Sequence, residues 1–215
     1  PALPVGGNDA TTDEANGKIC YLTFDDGPSA NTPKILEILE SCRATATFFV
    51  TGAEHPEYIK SISDSGNGVA LHSYSHRYSE IYSDDAAYLS DLKKISLCIR
   101  FPGGSSNTVS LTQGKNPGIM TRLAERVTEM GYSYFDWNVS SEDAVGGLLS
   151  AYAVKNNVLR GASGKNKICV LMHDSTDRTT TVDALPGIIE GLRSMGYSFE
   201  TLSPGCPEFH HRIGN

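Results

Sequence analysis

The sequence predicts an α/β protein, a distorted and incomplete (β/α) barrel of about seven parallel strands. Three observations predict it. From Lys18 onward, short apolar runs alternate with stretches of helical periodicity, the pattern of a parallel sheet covered by helices. Seven such units fit into about 185 residues, which suits a compact, incomplete barrel. The side chains best able to do chemistry fall at the C-terminal ends of the first, third, fourth, fifth and sixth runs. A closed barrel brings many strand ends to one centre, whereas a doubly wound open sheet, the alternative, brings only a few to its crevice.

Residues 1–17 are rich in Pro, Gly, Asn, Asp and Thr and read as a linker or flexible arm, leaving 18–215 as one folded domain. The first strand, near 19–25, is Ile19-Cys20-Tyr21-Leu22-Thr23-Phe24 closing on Asp25-Asp26-Gly27-Pro28. Thr32 suits an N-cap with Pro33 as the first helical residue, and Ile35, Leu36, Ile38 and Leu39 form an apolar face. The second strand, near 44–51, contains Ala46-Thr47-Phe48-Phe49-Val50. A short helix from about Pro56 to Ser63 ends toward Gly66, and the third strand lies near 68–73. Ala86, Leu89, Leu92 and Ile95 recur at helical spacing.

The fourth strand is Leu97 to Phe101. Ile119, Leu123, Ala124, Val127 and Met130 line a helical face that Gly131 stops. Tyr132 to Val139 reads as the fifth strand, followed by a helix from about Gly147 to Leu159. Ile168 to Met172 is the sixth strand. A helix from about Thr181 to Met195 ends at Gly196, and Tyr197 to Leu202 is the seventh strand. No internal repeat interrupts this order.

A chain of 215 residues can bury one sizeable core, and 39% hydrophobic with 20% charged residues is ordinary for a globular protein. The formal net charge is -7 with no Lys/Arg-rich run, which argues against nucleic acid as a partner. No apolar stretch approaches the ~20 residues of a membrane span. No signal-peptide pattern stands at residue 1, but the chain begins with Pro1, so an upstream signal or anchor is left open. The five cysteines are odd in number and contain no CxxC, which is neither a disulfide framework nor a zinc ribbon. Cys20, Cys98 and Cys169 sit in apolar runs and read as small buried hydrophobes.

Asp25 and Asp26 are two adjacent carboxylates at the end of a buried strand. Like charges this close oppose each other's ionisation, so cationic groups are expected beside them. His72, His76, Arg100 and His173 are of the right type, each at or near the end of an apolar run. His72 and His76 are four apart and share a side in either a strand or a helix, so both can converge on one metal, with a carboxylate completing the set. Successive side chains diverge along an extended chain, so one of Asp25 and Asp26 can ligate while the other acts as a general base.

Arg100 can hold a carboxylate in a two-pronged geometry. Gly103 and Gly104 allow close backbone approach, and such an N–H is an oxyanion donor. His173 is read as a third metal nitrogen or a general acid. Trp137, the only Trp, is core or a site wall. His55 precedes a helix, and His210 and His211, in a polar tail, are assigned to packing or solvent.

Five segments occur in order: Thr23-Phe24-Asp25-Asp26-Gly27-Pro28, His72-Ser73-Tyr74-Ser75-His76, Arg100-Phe101-Pro102-Gly103-Gly104-Ser105-Ser106-Asn107, Asp136-Trp137-Asn138-Val139-Ser140-Ser141 and Leu171-Met172-His173-Asp174. The series resembles the five motifs of the polysaccharide deacetylase family, the NodB-homology carbohydrate esterases (carbohydrate esterase family 4), over roughly residues 18–205. The resemblance implies a catalytic domain over 18–215 holding zinc or a similar divalent ion. It implies that Asp26, His72 and His76 bind the metal, Asp25 is the general base and His173 the general acid. It further implies that Arg100 orients Asp25, the Gly103 N–H helps bind the oxyanion, and Trp137 and Leu171 line the groove and acetyl pocket. Cobalt, nickel and manganese also accept two nitrogens and an oxygen.

The implied partner is an N-acetylated polysaccharide, peptidoglycan first and chitin-like oligosaccharides second, acted on outside the cell or at the cell wall with release of acetate. O-acetyl cleavage on xylan is the alternative activity. A catalytically silent glycan-binding module is the alternative class, and the intact Asp25, Asp26, His72, His76 and His173 count against it. Three departures stand out. Ser140 occupies a position where many members carry an Asp that supports the catalytic His, leaving Asp143, Asp136 or Asp174 for that role. Members also carry a Trp near the position of Ala144. The connection from Ile95 to Leu97 is unusually short.

Overall fold

β1 (Lys18–Asp25) runs through the middle of the sheet in this computed structural model, which describes residues 17–52, 54–92, 96–113 and 116–215. After it come α1 (Thr32–Ser41), β2 (Ala46–Val50), α2 (Glu57–Asp64), β3 (Gly68–Leu71), α3 (Tyr78–Ile81), α4 (Asp85–Asp91) and β4 (Cys98–Ile99). Then follow α5 (Ser110–Gln113), α6 (Ile119–Glu129), β5 (Ser133–Tyr134), β6 (Val139–Ser140), α7 (Ala151–Ala162), β7 (Lys167–His173), α8 (Thr179–Ser194) and β8 (Tyr197–Phe199). The strands pair in parallel in the order β5-β4-β3-β2-β1-β7-β6. β8 pairs with the start of β1, along the same edge that β2 takes up from Leu22 onward. Seven strand positions thus curl into an incomplete barrel, as the alternation predicts. Residues 1–16 of the expected arm, and the Ile95 end of the third helical pattern, lie outside the described residues.

The segment expected as one strand over 132–139 is two. β5 pairs with β4 and β6 pairs with β7, the opposite edges of the sheet, and residues 135–138 cross between them. The crossing chain satisfies its backbone groups largely without a ladder. Arg100 Nε donates to the Phe135 carbonyl and Nη2 to the Asp136 carbonyl, both at 2.9 Å. The Asn138 side chain donates to Lys167 O and accepts from Cys169 N. Asp136 N donates to Phe209 O in the C-terminal tail at 2.7 Å.

Two-residue periodicity sorts the rest. Cys20, Leu22 and Phe24 face outward, against Ile35 and Leu39 of α1, Val154 and Val158 of α7, and Leu185 and Ile188 of α8. Burying each such aliphatic side chain contributes roughly 1.5–3 kcal/mol. Tyr21, Phe49, Ala70, Cys98, Phe135 and Cys169 pack inward, with Leu202 and Phe209 of the tail among them. Continuing this inner register by twos toward the C-terminal ends reaches Asp25, His72, Arg100, Trp137, Leu171 and His173. His72 N donates to Val50 O and Arg100 N to Leu71 O, so the strand pairing carries on past β3 and β4.

Some local expectations give way to tertiary contacts. Asn31, rather than Thr32, precedes α1, because the Thr32 hydroxyl is held by the Asp174 carboxylate and accepts from Ser29 N. α7 starts at Ala151, capped by the Ser150 side chain accepting from Ala153 N. α4 ends at Asp91, and the short helices α3 and α5 have no counterpart in the sequence reading. All five cysteines are free thiols, with Cys20, Cys98 and Cys169 buried. No helix of the described residues is long and apolar enough to cross a membrane.

Candidate active site

At the mouth of the barrel, Asp26 Oδ1 lies 3.6 Å from His72 Nε2 and 3.3 Å from His76 Nε2. One ligand-type atom from each residue falls within 4.8 Å of the others. Left-handed backbone aims these side chains: Asp26 has φ 73, Ser73 φ 59 and His76 φ 52. Such conformations cost non-glycine residues about 1–2 kcal/mol each and gather at functional sites. The loop is braced by the Asp91 carboxylate, which accepts from Tyr74 N and Ser75 N, and by Ser73 Oγ, which accepts from His76 N.

The donor set fits a divalent cation. His72 is buried, and its Nδ1 sits 3.0 Å from the Arg100 carbonyl oxygen, an acceptor. Nδ1 therefore carries the proton and Nε2 turns a lone pair toward the carboxylates. Burial lowers the His72 pKa to about 3 against the pull of Asp26, so the imidazole is neutral near pH 7. The His72 lone pair, the His76 Nε2 and the Asp26 carboxylate converge as a set of the imidazole and carboxylate type that holds a divalent cation.

Asp25, the last residue of β1, is buried; its Oδ1 accepts from Arg100 Nη1 at 2.7 Å and its Oδ2 is 3.6 Å from His72 Nε2. Burial pushes its carboxyl above the ordinary value, and Arg100, followed by His173, holds it back. The Arg100 guanidinium is itself fully enclosed and makes a fork that also reaches Thr23 Oγ1 at 2.8 Å and Cys169 Sγ at 3.3 Å. Its face stacks 4.0 Å from the Phe49 ring centroid.

His173 ends β7 in register with Asp25, so a carboxyl and an imidazole stand side by side. Of the three acids left open by Ser140, Asp143 is the partner. Its Oδ1 is 2.8 Å from His173 Nδ1, and its Oδ2 accepts from His173 N and from Thr181 Oγ1. Burial works against a charged His173, but the hydrogen bond and charge of Asp143 win and raise its pKa to about 9. Asp174 is committed to Ser29 and Thr32, and Asp136 to Ser105 N and His211 N.

Through that bond Asp136 pins the Gly103-Gly104-Ser105 loop. Gly104 has φ +81, and a Cβ there would stand 2.9 Å from the Trp137 ring, so the indole packs close against the loop. Trp137 lies 5.7 Å from the Arg100 guanidinium and meets His211 edge-on. Leu171 sits between Cys169 and His173 on the inner face, in register with Thr23. The structure thus brings all nine predicted site residues to one mouth. His210 stacks on Tyr134 and His211 Nε2 meets Trp137 O, so both pack, as expected; His55 pairs with Glu57.

A buried carboxyl and an imidazole thus stand side by side next to a cluster of ligand-type side chains. Residues 12–132 match the model of the family described as polysaccharide deacetylase, and the chain belongs to that family. A peptidoglycan-N-acetylglucosamine deacetylase of Bacillus cereus is 33% identical over 85% of this chain and 68% of its own length. A bifunctional xylanase/deacetylase of Pseudobutyrivibrio xylanivorans is 32% identical over 92% of this chain, which spans only 32% of that protein. The crystal structure of the catalytic domain of a peptidoglycan N-acetylglucosamine deacetylase from Eubacterium rectale has a TM-score of 0.86 at 42% identity, covering 93% of this chain and 94% of that one. By family, this chain is a hydrolase of the glycan deacetylase class.

Proposed function

We propose that residues 18–215 form a catalytic domain that hydrolyses N-acetyl groups of N-acetylglucosamine-containing glycans outside the cell or at the cell wall. Peptidoglycan is the leading substrate and chitin-like oligosaccharides follow. The observation that carries this reading is the register pairing of Asp25 with His173 beside the Asp26, His72 and His76 cluster. Asp26, His72 and His76 would hold a divalent cation, zinc first, with cobalt, nickel or manganese able to take its place. When bound, the cation supplies Lewis acidity, lowering the pKa of water and polarising an acyl oxygen.

The chain's own groups do the rest. Asp25, with its pKa raised by burial and its orientation fixed by Arg100, accepts a proton from the attacking water. The water oxygen bonds to the acetamide carbon and the carbonyl π pair moves onto its oxygen, toward which the Gly103 N–H donates. His173 has Nδ1 committed to Asp143, so Nε2 delivers the proton to the amide nitrogen. The C–N bond breaks, and acetate and a free amine leave. Leu171 bounds the acetyl group and Trp137 the sugar. A proton on His173 up to about pH 9 suits a general acid at neutral pH.

An O-acetyl ester would be cleaved by the same groups, and the similarity to a xylanase/deacetylase supports that second reading. Acetate release from peptidoglycan, chitin oligomers and acetylxylan, each with EDTA and then with restored zinc, separates these. The expected result is release from peptidoglycan above the others, abolished by EDTA and recovered with zinc. Hydrolysis that persists in thoroughly chelated protein overturns the metal assignment, and release from acetylxylan alone overturns the substrate.

A further inference from the structure

We propose that the Tyr78 hydroxyl is a second donor to the acyl oxygen, beside the Gly103 N–H; this rests on the deacetylase reading above. Tyr78 opens α3, two residues after His76, and its ring meets the His76 imidazole edge-on at 5.3 Å. Behind it, Tyr82 lies at 5.8 Å and anchors the ring against the core. A Cβ placed on Gly103 would stand 3.3 Å from Tyr78 Oη and 3.1 Å from the Asn107 Cβ. The phenol oxygen therefore occupies the space that a side chain at 103 would fill, next to the backbone N–H.

Neighbouring donors are used in a different way. Tyr82 Oη donates to Pro102 O at 2.7 Å, and the Asn107 amide donates to Gly104 O at 2.8 Å. Both hold the loop from behind. Among the described residues, no group hydrogen-bonds Tyr78 Oη and none accepts from Gly103 N. Tyr78 is half-buried against His76 and Gly103 is exposed next to the phenol, so both unused donors are accessible beside His76. Paired donors of this kind, fixed before substrate arrives, stabilise charge that develops on an acyl oxygen. A role confined to holding His76 would need only the ring.

Tyr78→Phe keeps the ring and removes the oxygen. With zinc-loaded protein and a chitin tetramer, kcat is expected to fall about 10²-fold, the scale of one lost oxyanion donor, with KM changed less than about threefold. Zinc affinity, measured by competition with a chelator, is expected to be unchanged. Acetate, the product carboxylate, is expected to bind about fivefold more weakly in a calorimetric titration, on the scale of one neutral hydrogen bond. A kcat equal to that of the parent, or a kcat loss matched by lost zinc affinity, overturns the donor role. If the parent itself releases no acetate from any glycan, the deacetylase reading fails, and the acetate titration alone still decides on Tyr78, with equal affinities overturning it.

Discussion

The two sides of the barrel deliver site residues to the same mouth by opposite means. β1 and β7 pair over seven consecutive registers, from Ile19 with Lys167 to Asp25 with His173, so the backbone ladder itself sets the proposed base beside the proposed acid. Across the barrel, β4, β5 and β6 are two residues long, and the chain between them is held by side chains: Arg100, Asp136 and Asn138. A ladder distributes its stability over many modest bonds, whereas a seam concentrates it in a few buried polar groups that are costly to leave unpaired. Arg100 joins the two, reaching Thr23 and Asp25 on β1, the carbonyls of Phe135 and Asp136 on the crossing, and Cys169 on β7.

The largest effect is therefore expected from Arg100→Met. It strands two carbonyls and leaves the buried Asp25 without its cation, a loss on the order of 3–5 kcal/mol. Asp25, already raised by burial, loses the first of the charges holding it down, so its carboxyl moves further up and acetate release should fall steeply as well. Urea unfolding checks the first and an acetate assay the second. A stability change below about 1 kcal/mol would mean that the crossing is held without Arg100.

Asp143→Asn tests whether the ladder half is self-sufficient. β7 places His173, but Asp143, on the loop after β6, sets its charge. The folded pKa of about 9 lies above the ~6.5 of an unfolded histidine. The contribution to stability is therefore complete below ~6.5 and lost as pH rises through about 9. The Asp143 pKa is held down, against burial, by its bonds to His173 and Thr181, so its own contribution is present above ~3.9 and lost as pH falls through the lowered value. With Asn at 143, the basic limb of the kcat profile should move from near 9 toward ~6.5, with turnover at neutral pH down about 10-fold or more. A basic limb that does not move would show that backbone placement alone tunes the acid.

The same contrast separates what the sequence discloses from what it hides. β1 and β7 are legible because a buried strand needs a continuous apolar run, and the inner register that carries Asp25, Leu171 and His173 follows by twos. The crossing deceives because the apolar alternation of Phe135, Trp137 and Val139 persists through it in the sequence, although Phe135 and Trp137 pack inward and Val139 packs outward in register with Val170. Periodicity shows neither that change of face nor which strand lies beside a residue, so one predicted strand became two with different neighbours. Thr32 has every local mark of a cap, yet the long-range Asp174 carboxylate claims its hydroxyl. Choosing among Asp136, Asp143 and Asp174 needs the path of the loop after β6, where no period exists. The tail residues Phe209 and His211 reach the crossing through long-range contacts, Phe209 O with Asp136 N and His211 with the Asp136 carboxylate and Trp137 O, that no composition encodes.

Asn138→Ala sharpens the comparison at its smallest scale. β6 and β7 share only the registers Val139 with Val170 and Ser140 with Leu171, and just before them Asn138 imitates a ladder with its side chain. Nδ2 donates to Lys167 O at 3.0 Å and Oδ1 accepts from Cys169 N at 2.9 Å, while the Asn138 N–H keeps its bond to Cys169 O. Two bonds worth about 0.5–1.5 kcal/mol each are lost, but Asn138 is exposed and water takes over part of their work. A net loss of about 1 kcal/mol in urea unfolding is expected, with kcat within about twofold of the parent, because Arg100 still fixes Asp25 and Trp137 from inside. If the loss instead equals that of Arg100→Met, the crossing behaves as one cooperative unit in which no single bond can be assigned a separate share.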